Sequence, residues 1–186
     1  MRSIQQLLRA AVLASSTITI TYAAVLPASP LGPENVYAVH TRTLAPPTVD
    51  ACKAQLKVPP DTTLFYSGGP TYYQMAIDAI NTREYLDGYE IMAQKWRDET
   101  WKDPWLVDED LSRQFWDICS RALAEATSGV AYVLLPKGTG THWANGTVWD
   151  RMEWPNIADE VAVIRINPDD PEDREFIKTG VARVLD

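Results

Sequence analysis

DEDLSRQFWDICSRALAEATSGVAYVLLP, residues 108–136, holds the two clearest elements of the chain, a helix and the strand that follows it. Leu111, Phe115, Ile118, Cys119, Ala122 and Ala126 recur at helical spacing and lay one apolar stripe along an α-helix. Asp108 is placed to cap that helix, Glu109 and Asp110 suit the positive end of its dipole, and Gly129 is the expected stop beyond its last turn. The run 130–135 follows at once, apolar and β-rich without polar alternation, and Pro136 closes it. Such a run reads as a strand buried on both faces, as in a parallel sheet. A polar loop over 137–147 leads to Val148, Trp149, Asp150, Arg151, Met152, Glu153 and Trp154. An aromatic helix, a buried strand and a glutamate beyond the strand's C-terminal end together make a pocket arrangement.

Upstream, a short amphipathic piece starts at Val49 and carries Cys52, Leu56 and Val58 until Pro59 and Pro60 stop it. Residues 62–66 read as a short strand, Ser67, Gly68 and Gly69 as its turn, and Pro70 as the first residue of a helix through Met75, Ile77 and Ile80. A second helical segment is expected over 85–96. Downstream, Pro155 breaks the chain and 161–166 is a second convincing strand; the tail from Arg174 has no clear pattern. Strands separated by helical segments predict an α/β fold with a small parallel sheet.

The N-terminus has the form of a secretory signal over 1–23. Arg2 and Arg9 precede a short apolar run over 10–20, and Thr21, Tyr22 and Ala23 offer a cleavage site. The alternative is a membrane anchor, for which the run falls short of about 20 residues. A Pro-, Ala- and Thr-rich leader over 24–47 follows, leaving 48–186 as a single catalytic domain. This architecture predicts a secreted, extracellular protein with no membrane contact once the signal is cleaved. Loss of Arg2 and Arg9 with the signal takes the formal charge from −8 to −10, which repels phosphate backbones and argues against nucleic acid as a partner. Two cysteines, Cys52 and Cys119, make either one disulfide or two buried thiols; in an oxidising compartment the disulfide is the expectation to test. Asn145 heads an Asn-Gly-Thr sequon eight residues before Glu153, so it is expected on the surface of the polar loop.

Several chemistries lack their residues. His40 and His142, the two histidines, show no metal-ligand spacing, and no Gly-x-Ser-x-Gly elbow occurs. Ser67-Gly68-Gly69 lacks the Lys-Ser/Thr ending of a phosphate loop and reads as a tight turn. Carboxylate and aromatic chemistry remains. Of seven tryptophans, Trp105, Trp116, Trp149 and Trp154 lie in or beside the region from 108 to 154. Flat rings near a carboxylate suit a planar heteroaromatic base and a sugar cation, though the same residues would also serve as core beside one more solvated acid.

Four features belong together: VPPDTTLFYSG at 58–68, Gly88 and Tyr89 with Trp96, FWDICSRALAEA at 115–126, and the separation of Trp116 from Glu153. In these the sequence resembles the ADP-ribosyl cyclase family of NAD glycohydrolases. Residues 58–68, VPPDTTLFYSG, resemble that family's V-P-C-N-x-T-L-F-W-S-G. Gly88 and Tyr89 followed by Trp96 match a further block, and 115–126 resemble F-W-x-x-x-S-R-x-F-A-E-A-A. Trp116 and Glu153 lie 37 residues apart, the separation of the family's signature tryptophan and catalytic glutamate. The resemblance implies a helical N-terminal part packed on a small, mainly parallel sheet. It implies Glu153 as the catalytic carboxylate, Trp116 as the ring beside the nicotinamide, Ser120 near the reacting ribose, and Tyr66 and Ser67 as further substrate contacts. It also implies Trp149 as an aromatic that influences cyclisation against hydrolysis, and Glu84 as what remains of an acidic pair that here reads Arg83-Glu84. Pro60 and Ser128 stand where the family has bridged cysteines, and nearly the whole disulfide framework is absent.

The reading that results is a secreted enzyme cleaving the nicotinamide–ribose bond of NAD or NADP, with the dinucleotide as substrate and no cofactor or metal. Two alternatives stay open: a non-catalytic binding or effector module on the same fold, and a glycosidase using Glu153 and Asp150 as its carboxylate pair.

Overall fold

The computed structural model describes residues 44–136, 143–170 and 172–180. The expected signal, the leader up to residue 43, both histidines and the first half of the polar loop lie outside the described residues.

Seven regular elements follow in chain order: α1 (Val49–Gln55), β1 (Thr63–Tyr66), α2 (Pro70–Thr82), α3 (Glu109–Ala126), β2 (Val130–Leu134), β3 (Ala162–Ile166) and β4 (Arg174–Thr179). They build an α/β fold on one four-stranded sheet in the order β1-β2-β3-β4. β1 and β3 both run parallel to the central β2, with Phe65 opposite Val133 and Val133 opposite Arg165. β2 is therefore hydrogen-bonded on both edges and covered on both faces, which is why its sequence carries no polar alternation.

The aromatic helix forms as its sequence dictates. The Asp108 carboxylate accepts from the Leu111 amide at 2.9 Å, and the stripe of α3 buries Phe115, Cys119, Ala122 and Leu123 against one sheet face. α1 packs on α3 there, and the Cys52–Cys119 disulfide joins them with 5.4 Å between Cα atoms. Beside it the Lys53 ammonium pairs with Glu125, whose other oxygen takes the Arg121 guanidinium at 2.7 Å. The opposite sheet face is covered by α2 and the turn Glu84–Leu86, which bury Leu64, Ala76, Leu86, Leu134 and Ile166. All of this belongs to one compact unit.

Two expectations are corrected. The segment expected as a helix over 85–96 forms only the short 3-10 turns Glu84–Leu86 and Met92–Gln94. Gly88, at φ 79°, breaks it, and the backbone beyond is claimed by the open edge of β1. Glu90 donates to the Thr62 carbonyl at 2.8 Å and accepts from Leu64 at 3.0 Å, so the edge is closed by an extended residue. Buried Lys95 fixes this strap, its ammonium donating to the Thr62 carbonyl and hydroxyl at 2.9 and 3.0 Å.

Gly129 does not end α3. The helix stops at Thr127, whose hydroxyl donates to the Leu123 carbonyl at 2.8 Å. Gly129 instead turns the chain into β2 at φ 73°, pressed against the Asp61 carboxylate, which accepts from the Val130 amide at 2.6 Å. Any side chain at Gly129 would collide with that carboxylate.

The tail with no clear pattern forms β4, antiparallel to β3 and bulged near Val163. Its partner is a cation: buried Arg165 donates to Glu175 at 2.6 Å and to Asp173 at 3.0 Å.

The disulfide closes a loop of 67 residues. On chain-entropy grounds, replacing both cysteines by alanine lowers unfolding free energy by about 4 kcal/mol, measured by denaturant titration; a loss under about 1 kcal/mol would show that the α1–α3 packing holds without it.

Candidate active site

A cavity of about 220 Å³ opens at the C-terminal end of β1, between that strand, α3 and the segment before Trp154. The segment is a single five-residue π-turn, Trp149–Glu153, closed by a hydrogen bond from the Trp154 amide to the Trp149 carbonyl. Such turns are rare and are stabilised by their surroundings rather than by propensity. Here the surroundings are specific. Arg151 forks onto both carboxylate oxygens of Asp117 on α3, at 3.1 and 3.2 Å. Asp150 accepts from the Gly146 amide at 2.8 Å and the Trp143 indole at 3.1 Å. Trp149, with no exposed surface, packs against Phe65, Trp143 and Trp154 at ring separations of 5.5, 5.8 and 5.6 Å. The turn is thus anchored by charge on one side and by rings on the other.

These anchors hold Glu153 in the cavity wall, 5 % exposed. The Ser120 hydroxyl donates to its carboxylate, while Oε2 has no hydrogen-bond partner among the described residues. Burial pushes its pKa up to about 8 against the opposing effect of Ser120. Among the described residues lining the cavity it is the single charged side chain. Across from it, Tyr66 ends β1 in the same wall, its phenol pKa raised first by burial and next by Glu153. Trp116 lines the α3 side, steadied edge-on by Phe115 at 5.1 Å and Trp96 at 6.3 Å.

The fold brings Tyr66, Ser67, Trp116, Ser120 and Glu153 to one cavity. It does not bring the other two candidates there. Trp149 lies beneath, where it shapes the turn carrying Glu153 but offers no surface to a ligand. Glu84 sits exposed at the start of a 3-10 turn, in a separate depression with Ile80, Arg83 and Asp87. Asp150, the second acid a glycosidase would need, does not line the cavity; the Gly146 and Trp143 bonds occupy both oxygens and hold its pKa below the usual carboxylate range. Asn145 is exposed on its loop. Met92 and Val148 also line the cavity but carry no sequence signal, because they arrive from irregular segments. Gly68 and Gly69, read only as a tight turn, form part of its rim.

Among solved structures, the chain is similar to ADP-ribosyl cyclases. One is an Aplysia cyclase complexed with substrate NGD and product cGDPR, 17% identical over 59% of this chain and 50% of that one, with a TM-score of 0.41. Another is CD38, 17% identical over 63% and 56% with a TM-score of 0.38. A third is porcine CD38 with a covalent intermediate, ribo-F-ribose-5'-phosphate, 18% identical over 54% and 49% with a TM-score of 0.36. The chain spans about half the length of these structures. No family model and no curated protein matches it.

A carboxylate whose pKa is about 8 when folded and 4.5 when exposed binds one more proton in the native state between those values. Its contribution to stability is complete below pH 4.5 and is lost as pH rises through 8, a change of roughly 5 kcal/mol. Glu153→Gln cannot ionise, so its Tm relative to the parent's should climb from pH 5 to about pH 8 and level off above it. A difference that does not vary with pH would mean that the carboxylate is solvated.

Proposed function

We propose that this protein is a secreted NAD glycohydrolase or ADP-ribosyl cyclase acting on NAD or NADP. The observation that carries the reading is Glu153 Oε2, a buried carboxylate oxygen with no partner among the described residues, in a cavity walled by Trp116 and Tyr66. An acceptor left unpaired in a buried site is costly unless the ligand supplies the missing charge. A pyridinium riboside does so, first on its ring and then on its sugar. The motifs around Tyr66 and Trp116, and their spacing from Glu153, support the same assignment.

The proposed reaction is heterolysis of the bond between ribose C1 and the pyridinium nitrogen. Both electrons go to the nitrogen, which leaves as neutral nicotinamide, and positive charge passes to the ribose. Ionised Glu153 stabilises that oxocarbenium-like state, Ser120 fixes the carboxylate's orientation, and Trp116 holds the departing ring. Water captures the cation and loses a proton to give ADP-ribose; capture by the substrate's own adenine, with loss of a proton, gives the cyclic product. In the empty cavity Glu153 is protonated at neutral pH, so a cationic substrate draws its pKa down and binding releases a proton. The two-carboxylate glycosidase is the weaker reading, since Asp150 is held outside the cavity.

Incubation of the secreted protein with NAD should release nicotinamide. Glu153→Gln keeps the shape and removes the charge, and should lower kcat by at least about 10²–10³. Trp116→Phe should mainly raise KM and keep measurable turnover. kcat/KM of the parent should rise with pH through a midpoint near 8, as Glu153 loses its proton in the free enzyme. Turnover of Glu153→Gln at the parent rate would show that the site is wrongly assigned. A parent that leaves NAD intact would favour a non-catalytic binding module.

A further inference from the structure

At about 220 Å³ the cavity is smaller than the roughly 300–1,000 Å³ that encloses a drug-sized ligand, so it has room for one end of a dinucleotide only. The distal nucleoside must lie outside, along the rim. Two large aromatic side chains are exposed among the described residues, Tyr73 and Phe176. Phe176 belongs to a separate depression with Tyr132, Ile164 and Arg174 near β3 and β4. Tyr73, 39 % exposed on the first turn of α2, meets the ring of cavity-lining Tyr66 edge-on at 6.0 Å.

The chain between these two tyrosines explains the placement. Gly68 and Gly69, both at positive φ, and Pro70 fold α2 back over the end of β1. The Tyr72 ring is packed so tightly on Gly68 that no side chain fits there, which fixes the helix's first turn against the rim. Above Gly69, by contrast, nothing stands within 4 Å of where a side chain would project. The backbone is therefore uncovered at cavity-lining Gly69, between Gly68, which the Tyr72 ring covers, and the first turn of α2 that bears Tyr73, and that turn carries no acidic residue to repel a phosphate.

We infer that Tyr73 is a specificity-determining residue that stacks the purine of the bound dinucleotide outside the cavity. The inference rests on the NAD-cleaving reading of the Glu153 site. A purine offers a large flat face, and stacking on an exposed tyrosine costs little ordering because Tyr66 already limits the ring.

Equilibrium binding to the full chain tests this with two probes: ADP-ribose, which has the purine, and ribose 5-phosphate, which lacks it. Tyr73→Ala should weaken ADP-ribose about tenfold or more and leave ribose 5-phosphate unchanged, while Tyr73→Phe should keep the parent affinity for both. Equal weakening of both probes would show that Tyr73 acts only through Tyr66, and no change in either, or no binding of ADP-ribose to the parent, would also overturn the inference. Nicotinamide release from NAD by the parent is read separately. Release without a Tyr73 effect on ADP-ribose sinks the stacking role alone. A Tyr73-dependent ADP-ribose site without release sinks the activity and leaves the stacking role standing.

Discussion

The Glu153 carboxylate is held away from water, and the elements around it are arranged to keep it there. One hydroxyl donor and an otherwise apolar wall do not compensate its desolvation, so the position is intrinsically unfavourable above neutral pH. It persists because the π-turn carrying it cannot relax. Arg151 is clamped to Asp117, Trp149 is wedged under Phe65, and α3 is itself fixed to α1 by the disulfide one residue before Ser120. Stability generated at these three places offsets the cost of burying that carboxylate.

The tryptophans divide along the same lines. Trp96, Trp101 and Trp105 gather around Phe115 on the α3 side, and Trp143, Trp149 and Trp154 gather under the π-turn. Trp116 alone extends from its group into the cavity wall. The choice posed by composition, core or ligand platform, therefore resolves residue by residue. Six rings make the walls stiff and one is presented to the cavity.

How much was legible in the sequence depends on where the information lies. α3 and β2 were readable because periodicity, cap and apolar run all point the same way over 29 residues. The cavity cluster of Tyr66, Ser67, Trp116, Ser120 and Glu153 was readable because its members sit in motif blocks. β4 was not, since REFIKT pairs through a buried arginine on another strand rather than through a pattern of its own. The strap over 84–96 looked helical because Leu86, Tyr89 and Ile91 are apolar; what makes it extended is the unpaired edge of β1, which lies more than 20 residues upstream. Glu84 and Trp149 fell in the right blocks, but a block does not say which side of an element faces the cavity. The π-turn has no sequence rule at all, because it exists only once α3 is there to hold it.

The packing of the rings also has an optical consequence. Within the α3 group, ring centroids are separated by 4.8 to 6.3 Å from one contact to the next, leading from Trp105 through Trp101 and Trp96 to Trp116. At such separations excitation absorbed by one indole migrates readily to the next, so the chain of chromophores emits as a coupled unit. A heteroaromatic ring stacked on Trp116 would drain that unit at its terminus, quenching several indoles through a single contact. The relay of indoles therefore ends in the cavity wall, where Trp116 is the ring of its group that lines the cavity.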